Sequence, residues 1–178
     1  MKNVHERAWK KLVFHALFEF MTMEKRSEGM DSMDRSILRC LSEDSRQSAT
    51  KISRTVHLSV AAVIERIRKL ERNGIIQRYT IVADQHKIGN EVVALMEVSL
   101  EHPQYYDEFT KVMNTHPDVV SCDYLTGDYD FMLKIQTRSS ETLEQLHRII
   151  KSIQGVSGTK TYFVLKEIKS GLTALSEA

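Results

Sequence analysis

Residues 59–76 read SVAAVIERIRKLERNGII, and this stretch decides how the first half of the chain folds. Ser59 can cap a helix, because its hydroxyl can accept a hydrogen bond from a free backbone amide of the first turn. Apolar residues then recur at helical spacing, and Asn73-Gly74 is typical of a helix end. The side chains that we expect to face inward are Val63, Ile64, Ile67 and Leu70. The stretch therefore predicts one amphipathic helix.

Two shorter helices are predicted upstream of this one. The first opens at Asp34 and the second at residues 48–50. Their inward-facing apolar residues are Ile37, Leu38, Leu41, Ile52, Val56 and Leu58. Three short helices with a tight turn at residues 57–59 are typical of a helix-turn-helix. Residues 75–82 then alternate in polarity and predict a pair of short strands, as in a small wing.

The second half of the chain changes from helical spacing to the alternation of strands. We predict strands at residues 92–100, 119–125, 131–135 and 159–168, with helices at 103–115 and 139–152 and a turn at Gly127-Asp128. The order βαββαβ implies a four-stranded antiparallel sheet with both helices on one face. Because Met96, Tyr162 and their neighbours would otherwise be exposed, we expect the other face to be covered by dimerisation.

Charge is distributed unevenly along the 178 residues. The whole chain carries a formal net charge of only +1, which by itself argues against a nucleic-acid partner. Residues 30–83, however, carry a net charge of +4, and residues 84–178 carry a net charge of −5. Cations on the predicted helix of residues 59–73 could neutralise phosphates. The partition favours a nucleic-acid-binding segment joined to an acidic sensor segment.

Bulk composition excludes several other classes. Cys40 and Cys122 are the two cysteines and lie in no zinc-binding spacing, so neither a disulfide framework nor a structural metal is expected. No apolar run reaches the length that spans a bilayer, and we expect a soluble, cytoplasmic protein with no membrane partner. Phosphate-binding loops and the usual catalytic motifs are absent from the sequence, so we expect neither an enzyme nor a cofactor.

Two sets of motifs carry a resemblance to a known family. Residues 33–38 (MDRSIL) and 59–76 resemble the Lrp/AsnC transcription regulators, whose signature is a D-x-x-I-L opening and an R-I-x-x-L-E-x-x-G-I-I helix. Residues 127–130 (GDYD) are similar to the family's G-D-x-D turn, and residues 155–162 are similar to its closing strand. The resemblance covers about residues 33–169 and does not extend to residues 1–29.

The resemblance implies an α+β fold in which an N-terminal winged helix-turn-helix is followed by a ferredoxin-like βαββαβ regulatory domain of the RAM type. Members bind double-stranded DNA at pseudo-palindromic operators, dimerise through the sheet domain and often form octamers. They respond to small effectors, usually amino acids. By this resemblance the chain is a transcriptional regulator whose assembly and DNA binding respond to an amino acid.

The resemblance also implies which residues do this work. Its helix-turn-helix spans residues 49–68. The residues expected to contact DNA are Ser59, Val60, Ala61, Ala62, Glu65, Arg66, Lys69 and Arg72. The residues expected to contact the effector are Thr126, Gly127, Asp128, Asp130, Ile153, Gln154 and Gly155. Residues 127–130 are also sufficient for a plain hairpin turn, so this second set has a purely structural alternative.

The chain is thereby divided into five segments. An amphipathic extension (1–29) precedes the DNA-binding domain (30–83), a linker (84–90), the effector-binding domain (91–170) and a tail (171–178). The extension is either a helix that packs against a partner or second copy, or an appended segment without a role of its own. Two alternatives for the whole chain stay open. One is an enzyme of the same architecture, like the sirohaem decarboxylases, and the other is a module that docks on another regulator.

Overall fold

The computed structural model describes residues 30–171 and 173–175. The predicted helix within residues 1–29 therefore lies outside the described residues. The chain divides into two compact units, with the boundary between Thr80 and Ile81. Residues 81–170 form the second unit. Each unit has a hydrophobic core of its own.

Three helices build the first unit: α1 (Ser32–Glu43), α2 (Ala49–Val56) and α3 (Val60–Arg72). Ser48 caps α2, and Ser59 caps α3 as predicted, since its hydroxyl accepts a hydrogen bond from the Ala62 N–H at 3.1 Å. Between these two helices, His57 adopts a left-handed conformation with φ of 54°. The core consists of Ile37, Cys40, Ile52, Val56, Val63 and Leu70. The helix-turn-helix prediction is confirmed.

Two details of the first unit differ from the sequence-based prediction. Ile64 is not buried but 37% exposed, because it lies at the edge of the apolar stripe and not at its centre. The strand pair predicted at residues 75–82 is also wrong, since the structure has no strand between α3 and Val92. The N–H groups of Ile75 and Ile76 both donate to the Leu70 carbonyl, at 2.9 and 3.1 Å, and hold this segment against the helix end.

The second unit is a four-stranded antiparallel sheet in the order β2-β3-β1-β4. Its elements are β1 (Val92–Leu100), a single 3₁₀ turn (Pro103–Tyr105), α4 (Tyr106–Thr115), β2 (Val119–Tyr124), β3 (Phe131–Thr137), α5 (Ser140–Ser152) and β4 (Val156–Phe163). The predicted βαββαβ order is confirmed. The last strand was predicted at residues 159–168, but it begins and ends earlier in the chain. It pairs with β1 from Val156 onward, and it ends beside the start of β1.

The two faces of the sheet differ in burial. Ala94, Met96 and Val98 of β1 are fully buried in a core that includes Phe109 of α4 and Leu146 of α5. The expectation that Met96 would be exposed without a partner chain is therefore wrong, because it lies beneath the helices. The opposite face, called the outer face below, carries the alternate residues of each strand: Val93, Leu95 and Glu97 of β1, Met132 and Lys134 of β3, and Lys160 and Tyr162 of β4.

Candidate functional site

The solvent-facing side of α3 lies opposite its buried residues Val63 and Leu70. Ala61 and Glu65 are exposed in its first half, and Arg68, Lys69 and Arg72 are exposed in its second half. The surface of the first half thus carries short or apolar side chains and one carboxylate, whereas the surface of the second half is cationic. A surface of this kind allows close approach to a groove and supplies charges for phosphates.

Arg72 and Glu65 form an ion pair on this surface. The Arg72 Nη2 and Glu65 Oε1 atoms are 2.8 Å apart, and both side chains are about 60% exposed. The hydrogen bond from Arg72 lowers the pKa of Glu65. Because exposed ion pairs are weak, Arg72 can exchange its carboxylate partner for a phosphate at little cost.

Arg66 does not join this surface. Its Nη1 atom lies 2.7 Å from Asp31 Oδ2 and 2.7 Å from Asp34 Oδ1, and the Asp34 side chain is only 1% exposed. Both hydrogen bonds raise the pKa of the Arg66 guanidinium, and the one to Asp34 contributes more than the one to Asp31. The position differs from the sequence-based expectation that Arg66 contacts DNA. Here the guanidinium neutralises two carboxylates at the start of α1.

Two exposed residues of α3, Ile64 and Arg68, are not among the residues that the sequence assigned to DNA contact. Helical periodicity placed Ile64 inward because it follows Val63 directly, but the helix turns it away from the core. Both residues lie on the same side of α3 as Val60, which is 38% exposed.

An open cleft of about 500 Å³ lies in the second unit. Its walls are the β2–β3 turn and the outer face of β1 and β4. The lining residues are Glu97, Leu125, Thr126, Gly127, Asp128, Tyr129, Lys160 and Tyr162. Three of the seven residues expected to contact an effector, Thr126, Gly127 and Asp128, are therefore in the cleft. The residues from β1 and β4 were missed, because only the register of the two strands brings them to the turn.

Opposite charges face each other in this cleft. Glu97 and Lys160 are paired across β1 and β4, and the Tyr162 hydroxyl donates to Glu97 Oε2 at 3.0 Å. The Lys160 ammonium nitrogen is 5.0 Å from the centre of the Tyr162 ring. The pKa of Lys160 is raised, first by its hydrogen bond to Tyr162 and then by electrostatic interaction with Tyr129 and Glu97. This side chain therefore stays cationic. The cleft can hold a ligand that carries both a cation and an anion.

Asp130 does not line the cleft. Its carboxylate accepts a hydrogen bond from the Leu100 N–H at 2.7 Å, and its own N–H donates to the Val98 carbonyl at 3.0 Å. Asp130 thereby fastens the β2–β3 turn to the end of β1. Its placement favours the structural alternative for this residue, while Asp128 remains exposed in the cleft.

The predicted residues 153–155 do not line the cleft either. Ile153 packs on the core, Gln154 is exposed, and Gly155 has φ of +85°. A Cβ atom at Gly155 would lie 2.0 Å from Tyr105 Cδ2, so the tyrosine packs directly on the glycine backbone. This close approach and the positive φ explain why a glycine stands at position 155.

Three histidines within the described residues, His102, His116 and His147, give no support to the decarboxylase alternative. The Nδ1 atoms of His102 and His116 each accept a hydrogen bond from the backbone N–H of the residue two positions later in the chain. The Nε2 atom of His147 lies 2.9 Å from Thr159 Oγ1. They are used locally and do not converge on one site. Within residues 30–171 and 173–175, no group of His, Cys, Asp and Glu side chains could hold a metal ion. Among the helices that the structure describes, none combines the length and apolar composition needed to cross a membrane.

Comparisons with known proteins match both units. Residues 30–71 match the model of the AsnC-type helix-turn-helix domain, and residues 92–173 match that of the Lrp/AsnC ligand binding domain. The HTH-type transcriptional regulator FL11 of Pyrococcus horikoshii is 34% identical over 140 residues, which cover 79% of this chain and 92% of that protein. The leucine-responsive regulatory protein of Escherichia coli is 30% identical over 149 residues, covering 82% and 91%.

Solved structures agree with these matches. LrpC of Bacillus subtilis superposes with a TM-score of 0.70 at 33% identity, covering 79% of this chain and 98% of that one. A transcriptional regulator of Neisseria meningitidis, crystallised as a complex with L-Met, superposes with a TM-score of 0.76 at 28% identity, covering 80% and 94%. The relatives from Pyrococcus horikoshii, Escherichia coli and Neisseria meningitidis are named as regulators.

Proposed function

Since the chain belongs to the Lrp/AsnC family of transcription regulators, we propose that α3 binds operator DNA and that an amino acid in the cleft of the second unit controls this binding. The observation that carries the proposal is the pairing of Glu97 with Lys160 beside the β2–β3 turn. A free amino acid bears an ammonium and a carboxylate a few bonds apart, and the cleft offers groups of both complementary signs.

The DNA-binding part of the proposal rests on the exposed side of α3. Ser59, Val60, Ala61 and Ala62 stand at the helix start, where base edges are contacted in a helix-turn-helix. Glu65, Lys69 and Arg72 follow on the exposed side. Lys69 and Arg72 act on phosphates, and Arg72 gives up its exposed ion pair with Glu65 when it does so. Arg66 supports the helix from the other side through Asp31 and Asp34 and makes no DNA contact in this proposal.

The effector part assigns complementary roles to the cleft residues. Lys160 binds the ligand carboxylate, while Glu97 and the exposed Asp128 bind its ammonium group. Gly127 lets the ligand approach the backbone of the turn, since it has no side chain and the space above it is open, with no atom within 4 Å of the place of a Cβ. Leu125 and the rings of Tyr129 and Tyr162 contact the side chain of the ligand. Asp130, Ile153, Gln154 and Gly155 act indirectly, by fixing the turn and the start of β4.

Assembly connects the two parts. The outer face bears apolar residues, among them Leu95 and Met132, and two such faces can pair about a two-fold axis. The dimer would present two copies of α3 to a pseudo-palindromic operator, and dimers would associate further into octamers. An amino acid that binds one assembly state better than another shifts the population toward that state. Such a regulator works in the compartment of the chromosome, which is the cytoplasm of a prokaryotic cell.

The test measures DNA affinity while amino acids are added. The full chain is titrated into labelled duplex from the region upstream of its own gene, followed by fluorescence anisotropy, at several salt concentrations and with each of the common amino acids. Two variants are compared, Lys160→Met in the cleft and Lys151→Met on the exposed side of α5 as the matched control. We expect at least one amino acid to change the affinity of the wild type and of Lys151→Met but not of Lys160→Met.

The possible failures are distinct. DNA binding that is absent, or that does not weaken as salt rises, contradicts the assignment of α3, because phosphate contacts release counterions. An amino-acid effect that survives in Lys160→Met contradicts the assignment of the cleft and leaves the DNA-binding proposal intact.

A further inference from the structure

Val60, Ile64 and Arg68 form an exposed ridge along α3. They are spaced by four residues, so that successive members lie about 40° apart around the helix and stand in one row. Val60 is 38% exposed and Ile64 is 37% exposed, and Arg68 is exposed as well. The row is therefore apolar in the first half of the helix and cationic in the second.

Core packing does not account for the apolar half of this ridge. The buried residues of α3 are Val63 and Leu70, at 0% and 1% exposure, and neither Val60 nor Ile64 belongs to the buried core of the first unit. Ala61 beside them is also exposed and has only a methyl group. Apolar side chains at the start of a DNA-binding helix would face the base edges and not the charged phosphates.

We infer that Val60 and Ile64 read thymine methyl groups in the major groove, with Arg68 on the neighbouring phosphate. The inference rests on the proposed function, because it requires that α3 enters DNA. The physical reason is that the thymine methyl is the apolar group that base pairs present in the major groove. Valine and isoleucine offer no hydrogen bond to the other base edges. The ridge thus selects thymine over cytosine at the positions that it touches.

The experiment removes a single methyl group from the DNA and shortens single side chains of the protein. Sites are first selected from random-sequence duplexes with the full chain. Each thymine of the selected duplex is then replaced in turn by deoxyuridine, which lacks only the methyl group, and affinity is measured by anisotropy. At one or two positions we expect the affinity of the wild type to fall about fourfold, the effect of one methyl group that loses its apolar contact.

Protein variants locate the contact. Ile64→Ala is expected to bind thymine and deoxyuridine equally at one of these positions, and Val60→Ala at the same or a neighbouring one. Ile64→Val, which keeps most of the side chain, is expected to retain a reduced response. Met33→Ala is the matched control, because Met33 of α1 is a 39% exposed apolar side chain of the same unit.

The outcomes separate this inference from the function on which it rests. No selected site and no salt-sensitive binding would contradict the proposed function itself. Binding in which deoxyuridine has the same effect on the wild type and on Ile64→Ala at every thymine would overturn the inference alone. It would also be overturned if Ile64→Ala changed thermal stability and left the affinity for the selected duplex unchanged.

Discussion

A single guanidinium links the start of α1 to the middle of α3. Asp31 and Asp34 form a capping box, in which the Asp34 N–H donates to Asp31 Oδ1 at 2.8 Å and the Asp31 N–H donates to Asp34 Oδ2 at 3.3 Å. Arg66 binds the remaining oxygen of each carboxylate. The cap of one helix therefore depends on a side chain of another.

Removal of this guanidinium should destabilise the first unit. Arg66→Ala leaves the Asp34 carboxylate buried beside a second carboxylate, and we expect a loss of about 2–3 kcal/mol in the free energy of unfolding. The value lies at or below the low end for buried pairs, because Arg66 itself is 30% exposed. Urea titration followed by circular dichroism measures it.

Arg72→Ala is the control for this prediction. It breaks an ion pair on the same helix, but both partners are about 60% exposed, so that the unfolding midpoint should hardly move. Equal effects of the two substitutions would contradict the buried role of Arg66. The salt dependence of DNA binding should be unchanged in folded Arg66→Ala, since the residue contacts no phosphate in the proposed complex.

Residues differ in how far the sequence predicts their roles. Ser59 was predicted correctly as a cap, because the hydrogen bond that defines a cap is made within three residues. Asp130 and Gly155 were assigned to an effector, but their contacts lie far away in sequence, with Leu100 and Tyr105. No local pattern encodes such contacts. Lys160 was missed as a cleft residue for the same reason.

Among the elements, α3 was predicted almost to the residue, and the segment that follows it was not. The helix has a cap, an apolar stripe and a terminating Asn-Gly, all of which are local signals. Residues 75–82 alternate in polarity like a strand, but a strand also needs a partner, and alternation alone does not provide one. The segment is held instead by hydrogen bonds to the end of α3.

Tyr79 fastens this segment to α3 and should make its stability dependent on pH. The hydroxyl donates to Glu71 Oε1 at 2.8 Å. Tyr79 is half exposed; the partial burial of its ring in first place, and then the Glu71 carboxylate, raise its pKa to about 12. An unfolded tyrosine has a pKa of about 10. Because the folded pKa is the higher one, the stabilisation is complete below pH 10 and is lost as the pH rises toward 12.

Spectroscopic titration at 295 nm tests this assignment. The difference between the wild type and Tyr79→Phe should show one tyrosine that ionises near pH 12. In Glu71→Gln its pKa should fall only in part, because burial remains. A difference curve centred near pH 10 in the wild type would show that Tyr79 is not held against Glu71.

At the scale of the molecule, the two folds could be predicted because the helices of the first unit and the strands and helices of the second have clear periodic signals, and the division of charge added a function to the first. The charges of residues 30–83 and 84–178 nearly cancel in the whole chain, so that only the partition indicates nucleic acid. What the periodicity could not predict is which sheet face the helices cover. Both alternating sets of β1, Val92 to Leu100, contain apolar residues, and packing alone decides between them.

The outer face gives the last prediction, which concerns assembly. Leu95 lies there between Lys134 of β3 and Tyr162 of β4 in the strand register. If two outer faces pair, Leu95→Arg buries a cation next to Lys134 and its own symmetry mate, and an uncompensated buried charge costs about 3 kcal/mol or more. The dimer dissociation constant should therefore rise by about a hundredfold or more.

Sedimentation equilibrium of the wild type and two variants measures this change. Ile149→Arg is the matched control, because Ile149 is a 42% exposed residue of α5, on the helical side of the sheet. We expect Leu95→Arg to be monomeric at concentrations where the wild type and Ile149→Arg are dimers or larger. A Leu95→Arg protein of wild-type mass would show that the sheets do not form the dimer contact. Leu95 lies next to Tyr162, which lines the cleft, so that the proposed dimer contact and the cleft adjoin each other. Loss of the dimer should therefore also weaken the response to amino acids.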